Sequence, residues 1–545
     1  MLAARNVSLH RGNQVVLDGI NITVGPGVRV GIVGPNGIGK TTLLRVLAGE
    51  VVPDSGVVER TPATLAVGYL EQEPSALPGE TLLEYLARRT GVAAASAELD
   101  RRTAALAAAS AATSASDVEA YSEALDAFLA RGGDDFEARA ASVCADVGLA
   151  DRLDVAITAL SGGQAARAGL AAILLARFDV LLLDEPTNDL DFGGLDQLER
   201  FLAGVGSGVA VVSHDRAFLD RAVNRIVEIQ EESHRSVEYA GGWSDYVDAR
   251  ALGRRQQGEA YRSYTAERQQ LAERIRRQRT WSEHGVAAKK RKPGDHDKMQ
   301  QGYARDRTEK QAAKVRASER RLDRLAVVDK PWEGWRLQLS LAPERRSGDL
   351  VARLSGAVVE RGSFALGPVD LEVGWAERIA VLGPNGSGKS TLLRTILGRE
   401  PLFAGTRWAG PSVVFGTIDQ GRQRAEEPVL ASFMATTGLV QPEARSLLAK
   451  FGLGPEHTGR PQAALSPGER TRLTLAELMA GGTNCLVLDE PTNHLDLPAI
   501  EQLESALNAF GGTLICVSHD RWLLEAVEFD RSLLVEAGQV HEVDR

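Results

Sequence analysis

Apolar residues take every second position at Val28, Val30 and Ile32, and the run leads directly into a glycine-rich turn. That period predicts a strand, and the stretch from Lys40 predicts a helix that stops at Gly49. Farther along the pattern changes. Val180 to Leu183 and Val209 to Val212 are continuous apolar runs, the first ending in Asp-Glu and the second in Ser-His. Runs of that kind predict strands buried on both faces, as in a parallel sheet. Ile379 to Leu382, Leu486 to Leu488 and Leu514 to Val517 repeat the set in the second half. Both halves therefore read as α/β.

The repetition extends to the motifs. Gly34-Pro35-Asn36-Gly37-Ile38-Gly39-Lys40-Thr41-Thr42 returns as Gly383-Pro384-Asn385-Gly386-Ser387-Gly388-Lys389-Ser390-Thr391, at an offset of 349. Leu-Ser-Gly-Gly-Gln at 160–164 returns as Leu-Ser-Pro-Gly-Glu at 465–469. Leu-Asp-Glu-Pro-Thr-Asn at 183–188 and Ser-His-Asp-Arg at 213–216 return at 488–493 and 518–521. The last three share one offset, 305, so almost all slippage falls between Gln72 and Leu160, where the first copy holds 43 extra residues. Four motifs in order, twice, mark a tandem duplication of one nucleotide-binding unit.

The extra residues form an alanine-rich stretch, about 93–131, with no glycine between Gly91 and Gly132. Its composition predicts helix, either a projecting hairpin or simply a longer helical subdomain. Between the two copies, 250–283 and roughly 303–328 are charged, proline-free and helix-prone, with a thin apolar stripe through Tyr264, Leu271 and Ile275 and through Val315, Leu322 and Leu325. Gly285 and Pro293-Gly294 are expected to break them apart, which predicts a long helical hairpin with Lys289-Lys290-Arg291-Lys292 at its tip.

Charge sharpens that reading. The chain carries 63 Lys and Arg against 73 Asp and Glu, a net charge of −10 over 545 residues. Residues 250–330 carry 23 basic against 11 acidic side chains, so a segment at +12 sits in a remainder at −22. Such asymmetry points to one surface that meets a polyanion, within an acidic bulk that limits indiscriminate nucleic-acid binding. The bland alternative for the tetrapeptide is a solvated charge run. Three scattered cysteines are too few for a disulfide scaffold, a zinc ribbon or an iron–sulfur site, and they suit a reducing cytosol. No stretch approaches the roughly 18 apolar residues of a membrane helix, so a soluble, cytoplasmic protein without direct membrane insertion is expected.

The motifs carry phosphate chemistry. A glycine-rich turn between strand and helix lets backbone N–H groups wrap phosphates, and the helix N-terminus adds its positive end. Lys40 and Lys389 are then placed for the β- and γ-phosphates, and the hydroxyls of Thr41 and Ser390 for Mg²⁺. Asp184 and Asp489, at the strand ends, are candidates to hold Mg²⁺ through its waters, and Glu185 and Glu490 to polarise the attacking water. Gln72 and Gln420 follow strand-like runs at matching places and suit a γ-phosphate or Mg²⁺ contact. His214 and His519 follow buried strands through a serine, where a donor to the γ-phosphate would stand. A lone histidine is more often structural; the repetition favours the functional reading. Ser161 and Gly163, and their counterparts Ser466 and Gly468, open helices whose N-termini would also suit an anion.

On these residues the chain resembles the ATP-binding-cassette (ABC) ATPases, over about 1–245 and 336–545. The resemblance implies two cassettes facing head to tail, with each ATP between one phosphate loop and the opposite cassette's signature. One site would join Lys40, Glu185 and His214 to Ser466 and Gly468. The other would join Lys389, Glu490 and His519 to Ser161 and Gly163. The run 488–496, the fused cassettes and the charged linker at 246–335 are similar to the ABC-F branch, ribosome-associated ATPases whose linker enters the exit-tRNA site and contacts peptidyl-site tRNA. That implies two tandem P-loop cassettes joined by a basic helical hairpin, an enlarged insertion at about 75–158, ATP and Mg²⁺ as ligands, and an intramolecular cassette dimer within a monomer. It also implies rRNA and tRNA as partners through Lys289, Lys290, Arg291 and Lys292, in a housekeeping or an antibiotic-protection role. The sequence departs from the family at Asp189, where histidine is usual, and at Pro467 and Glu469. No aromatic stands at the adenine side, where His10 and Glu360 lie nearby, so adenine over guanine is not readable. A transporter motor with a separate permease is the alternative; it leaves the basic linker unexplained. A DNA-metabolism ATPase ranks below both, and the iron–sulfur recycling branch is excluded by the cysteine count.

Overall fold

The computed structural model describes residues 1–545 except 13, 72–76, 109–114, 189, 290–312, 314–315, 318–319, 322–323, 326–345, 363, 419–425, 466, 494 and 544–545; it also leaves out the side chains of 278–289, 418 and 467–468. Two compact units emerge, one made of Met1–Asp245 with Arg336–Arg545, the other of Tyr246–Trp335.

The first unit contains the duplication. Each copy has a three-stranded antiparallel sheet and a six-stranded sheet. In the first copy the larger sheet runs Val67–Leu70, Val180–Asp184, Gly208–Val212, Arg29–Val33, Arg225–Ile229 and Ser236–Ala240, parallel except for the last strand. The second copy keeps the same order with Phe415–Ile418, Cys485–Asp489, Thr513–Val517, Arg378–Leu382, Arg531–Glu536 and Gln539–Val543. The strands foreseen from continuous apolar runs are all here, and Val180–Asp184 and Gly208–Val212 are buried at every residue. Helices on both faces of a parallel sheet leave no wet side, so these strands have no polar alternation to display. The foreseen helix at the phosphate loop is Lys40–Ala48, ending at Gly49 with φ +88°, and its counterpart is Lys389–Leu397. One core joins the small sheet, the large sheet and this helix through Leu2, Leu17, Ile32, Leu43 and Leu47, all wholly buried. All three cysteines are buried too.

This order sets the sites. The loop-bearing strand Arg29–Val33 lies at the centre, next to Gly208–Val212, with the acidic strand Val180–Asp184 one place beyond. Their carboxyl ends, where open α/β sheets bind ligands, then carry Gly34, Asp184 and Ser213 side by side. The alanine-rich stretch of the first copy forms two helices, Val92–Ala108 and Ala115–Ala130, packed against each other and largely exposed, with Val92, Ala95 and Ala124 as their buried residues.

The second unit differs from expectation in one respect. Its helix spans Trp243–Lys289, 47 residues, and passes through Gly285 without a break. A single glycine in a helix costs only about 1 kcal/mol relative to alanine, and Ala287 and Ala288 follow it, so the helix continues. Along it Leu271 is buried while Tyr264 and Ile275 are half-buried, and Glu267 meets Arg321 of the returning segment at 2.9 Å. Arg254, Arg262, Arg268, Arg274 and Arg276 are exposed. Lys290, Arg291 and Lys292 lie outside the described residues; Lys289 ends the helix.

Truncating Leu182, wholly buried in the acidic strand, to alanine is expected to destabilise the first unit by about 3 kcal/mol. A thermal scan of the full chain should show its transition moved down by several degrees; an unchanged transition would contradict this core assignment.

Candidate nucleotide sites

Both phosphate loops turn through glycines with positive φ: 154°, 81° and 110° at Gly34, Gly37 and Gly39, and 139°, 81° and 110° at Gly383, Gly386 and Gly388. At Gly39 a side chain is excluded twice over, since a Cβ there would meet Val16 Cγ1 at 2.9 Å. Gly39 and Gly388 cap their helices with no side-chain bond, so first-turn N–H groups are left facing the loop. Lys40 Nζ is held by the carbonyls of Gly34 at 2.8 Å and Pro35 at 3.1 Å, and Lys389 by those of Gly383 and Pro384 at 2.7 and 3.0 Å. Burial pulls both ammonium groups below their ordinary range, against the pull of Glu185 and Glu490.

The acidic pair sits at the strand ends as read from the sequence. Burial raises the Asp184 carboxyl; Tyr69 donates to its Oδ2 at 3.3 Å, and the Thr41 hydroxyl opposes the rise. Its Oδ1 is buried with no partner, which is what a divalent cation held between Thr41 and Asp184 would satisfy. In the second copy Ser390 and Asp489 occupy the equivalent positions, and Thr417 replaces Tyr69. Among the described residues no cluster of three or more His, Cys, Asp or Glu could hold a metal, so a cation here would draw its remaining ligands from phosphate and water.

Glu185 and Glu490 are stranger. Both take the left-handed backbone, φ 49° and 45°, which non-glycine residues reach at a cost of about 1–2 kcal/mol. Each N–H extends the sheet by donating to the neighbouring strand, Val212 at 2.9 Å and Val517 at 3.0 Å. The turn aims both carboxyls into buried space, and burial lifts each to about 7. A carboxyl in that range exchanges a proton near neutrality. His214 Nε2 lies 3.2 Å from Glu185 Oε1 and 3.2 Å from Asn36 Oδ1. His519 Nε2 lies 3.0 Å from Lys389 Nζ and 3.5 Å from Glu490 Oε1. Both imidazoles are kept neutral by burial and the adjacent lysine, His214 well below its ordinary value and His519 at about 4.

The signature of the first copy reaches the loop of the second. Ser161 caps the helix Gly162–Leu175 in a reciprocal box with Gln164, and a Cβ on Gly163 would stand 3.4 Å from that of Asn385. A cavity of about 390 Å³ opens there, bounded by Gly163, Asn385, Gly386, Glu490 and His519. A second, about 520 Å³, is bounded by Asn36, Lys40, Thr41, Glu185 and His214, with Arg11 and Gln14 at its rim. Ser466, the signature serine expected at that site, lies outside the described residues, as do Gln72, Gln420, Asp189 and His494. Gly468 lies in the helix Pro467–Ala480. His10 is engaged by Asp54 at 3.0 Å, and Arg11, not His10, is among the residues lining the second cavity.

Asp191, Asp496 and Tyr69 are further site residues that the sequence reading does not name. Asn385 N–H donates across the copies to Asp191 Oδ2 at 2.9 Å, and Asn36 N–H to Asp496 Oδ2 at 3.1 Å. Asp191 and Asp496 recur at the same offset of 305, and that was the available signal. Tyr69 carried none.

The profile of the ABC transporter family matches residues 17–188 and 366–493. The tylosin resistance ATP-binding protein TlrC of Streptomyces fradiae is 35% identical, with 95% of this chain and 94% of that protein covered. The energy-dependent translational throttle protein EttA of Mycobacterium tuberculosis is 31% identical, covering 96% and 89%. The ABC transporter F family member 5 of Arabidopsis thaliana is 30% identical, covering 96% and 73%. Among solved structures, the RNase-L inhibitor matches with a TM-score of 0.57 over 98% of this chain and 90% of that one, at 20% identity, a likeness of fold. Two cassettes matched over more than half the chain, and relatives at 30% identity or more along nearly all of it, make this protein a member of the ABC-F family of ATP-binding-cassette ATPases, which hydrolyse ATP to ADP and phosphate.

Proposed function

We propose that this chain is a ribosome-binding ATPase in which ATP-driven closure of the cassettes places the linker near the exit and peptidyl tRNA sites, modulating translation or protecting the ribosome from antibiotics. The observation that carries the reading is the second unit: a 47-residue helix lined with exposed arginines, in a segment at +12 set between two acidic cassettes. Such a surface suits RNA phosphates. Two relatives similar along their length are named for a translational throttle and for resistance to tylosin. No helix among the described residues is long and apolar enough to cross a membrane, so a transporter role would require a separate permease and would leave the basic unit without a task.

Within each site the phosphate loop binds the triphosphate, and Lys40 and Lys389 exchange their carbonyl contacts for β- and γ-phosphate oxygens. Mg²⁺, when bound by Thr41 and Asp184 or by Ser390 and Asp489, supplies charge neutralisation at the transferring phosphoryl group. Glu185 and Glu490 accept the proton of the attacking water, as their elevated pKa at a strained, buried turn favours. His214 and His519, neutral, donate toward the γ-phosphate. Gln72 and Gln420 contact that phosphate or the cation. Ser161 and Gly163, with Ser466 and Gly468 opposite, bind the γ-phosphate from across the interface, so ATP favours the closed form through its better fit there. The chain acts in the cytoplasm as a monomer.

Glu185→Gln with Glu490→Gln should keep ATP binding and lower turnover by about 10²-fold or more, leaving the protein closed on ribosomes in a sucrose gradient. Normal turnover would remove the assignment. Replacing Lys289, Lys290, Arg291 and Lys292 with alanine should weaken ribosome binding and flatten its salt dependence by up to about one unit of slope per contact, with ribosome-free ATPase almost unchanged. If affinity and slope both survive, the contact lies instead along Arg274, Arg276, Arg277 and Arg279.

A further inference from the structure

Each site is bounded by more than its own motifs. Asp496 accepts from the Asn36 N–H of the first cassette's loop and also caps the helix Leu497–Ala509. Two turns along that helix, Glu504 receives Arg216 of the first cassette in a forked pair, Nη1 to Oε2 at 3.2 Å and Nη2 to Oε1. Arg216 stands two residues after His214, whose Nε2 is 3.2 Å from Asn36 Oδ1. The path from loop to helix to arginine to histidine thus returns to the loop. The other half repeats it: Asn385 N–H to Asp191 at 2.9 Å, Asp191 capping Phe192–Gly204, Glu199 on that helix to Arg521 at 2.8 Å, and His519 beside Lys389.

We infer that Arg216 and Arg521 are positioning residues for ATP hydrolysis: each clamps the opposite cassette's helix and so holds the histidine before it against the phosphate loop. The second attachment is what makes the cross-interface aspartate act as a fixed point. With Asp alone the helix could pivot about its cap; with Glu504 or Glu199 also engaged it is held at two points roughly 12 Å apart along its axis.

The two clamps differ. The Arg216 side chain is 6% exposed, Glu504 12% and the neighbouring Asp520 9%, and the guanidinium lies 5.4 Å from the Trp522 ring centre. Arg521 is 19% exposed and shares itself between Glu199, at 14%, and Asp196, at 55%, lying 5.7 Å from the Phe192 ring centre. Removing one partner of a deeply buried pair strands a charge, whereas the more exposed pair is relieved by water. The Arg216 clamp should therefore matter more.

This inference rests on the composite-site reading above, and the test separates the two. In a Glu185→Gln/Glu490→Gln background, ATP-dependent compaction is followed by small-angle scattering for the parent, Arg216→Ala, Arg521→Ala, Glu504→Ala and the Arg216→Ala/Glu504→Ala pair. The same substitutions in the hydrolysing chain give kcat and KM, and a fluorescent ADP analogue reports phosphate-loop affinity. Arg216→Ala should lower kcat by about tenfold and reduce compaction, with ADP affinity within about twofold; Arg521→Ala should lower kcat by about threefold; the double change should be no worse than Arg216→Ala alone. Should Arg216→Ala fail to fold by circular dichroism, Glu504→Gln, which keeps the side-chain shape and removes the charge, should still lower kcat severalfold without moving ADP affinity. Compaction and kcat like the parent's in these variants, or single effects that multiply in the double, overturn the clamp. A parent that does not compact with ATP overturns the composite site, and the clamp with it.

Discussion

A carboxylate at the end of a strand buried on both faces is costly unless something positive or a proton satisfies it. Both cassettes are organised around that cost. Asp184 and Glu185 terminate a strand without one exposed residue, and the surrounding chain supplies only partial relief: a lysine tied to backbone carbonyls, a neutral histidine, a tyrosine hydroxyl. The raised Glu185 and Glu490 carboxyls express the residue of that cost. A nucleotide–magnesium complex is a natural counterpart, because it brings its own cation to the pair that lacks one. The sheet order, the open helix N-terminus and the glycine turn place this deficit next to a cradle for phosphate.

Much of this was legible in the sequence, for physical reasons. Strands covered on both sides must be apolar throughout, so Val180–Asp184 and Cys485–Asp489 announced themselves. The loops were legible because only glycine tolerates φ near 110° with Val16 so close. What stayed hidden lies across the interface. Nothing local in Asp191 or Arg216 says that its partner is Asn385 or Glu504, 194 and 288 residues away. Tyr69 is not legible in the sequence, because one hydroxyl at the end of a strand has no spacing to betray it. Gly285 does not end its helix, for a different reason: glycine lowers helix propensity by a margin that long flanking helix easily absorbs.

The second unit obeys other rules. Its long helix buries Leu271 and leaves Arg254, Arg262, Arg268, Arg274 and Arg276 in solvent, so much of its described surface is charge. Affinity for a polyanion is built by such surfaces through many weak, salt-sensitive contacts. The cassettes work in the opposite regime, with few contacts, deeply buried and dependent on geometry.

The reciprocal bonds between the cassettes have the form of an isologous interface, in which one patch meets its own copy about a two-fold axis. In a dimer of identical chains any substitution would appear at both sites at once. Here the two halves share one chain, and the symmetry has already been broken: Trp522 stands where the first cassette has Ala217, and Phe192 where the second has Leu497. Phe192 sets its ring edge-on to His519 at 5.0 Å, a contact that leucine cannot reproduce beside His214. Fusion has turned one inherited interface into two that differ residue by residue, so a substitution in one half no longer reaches both sites.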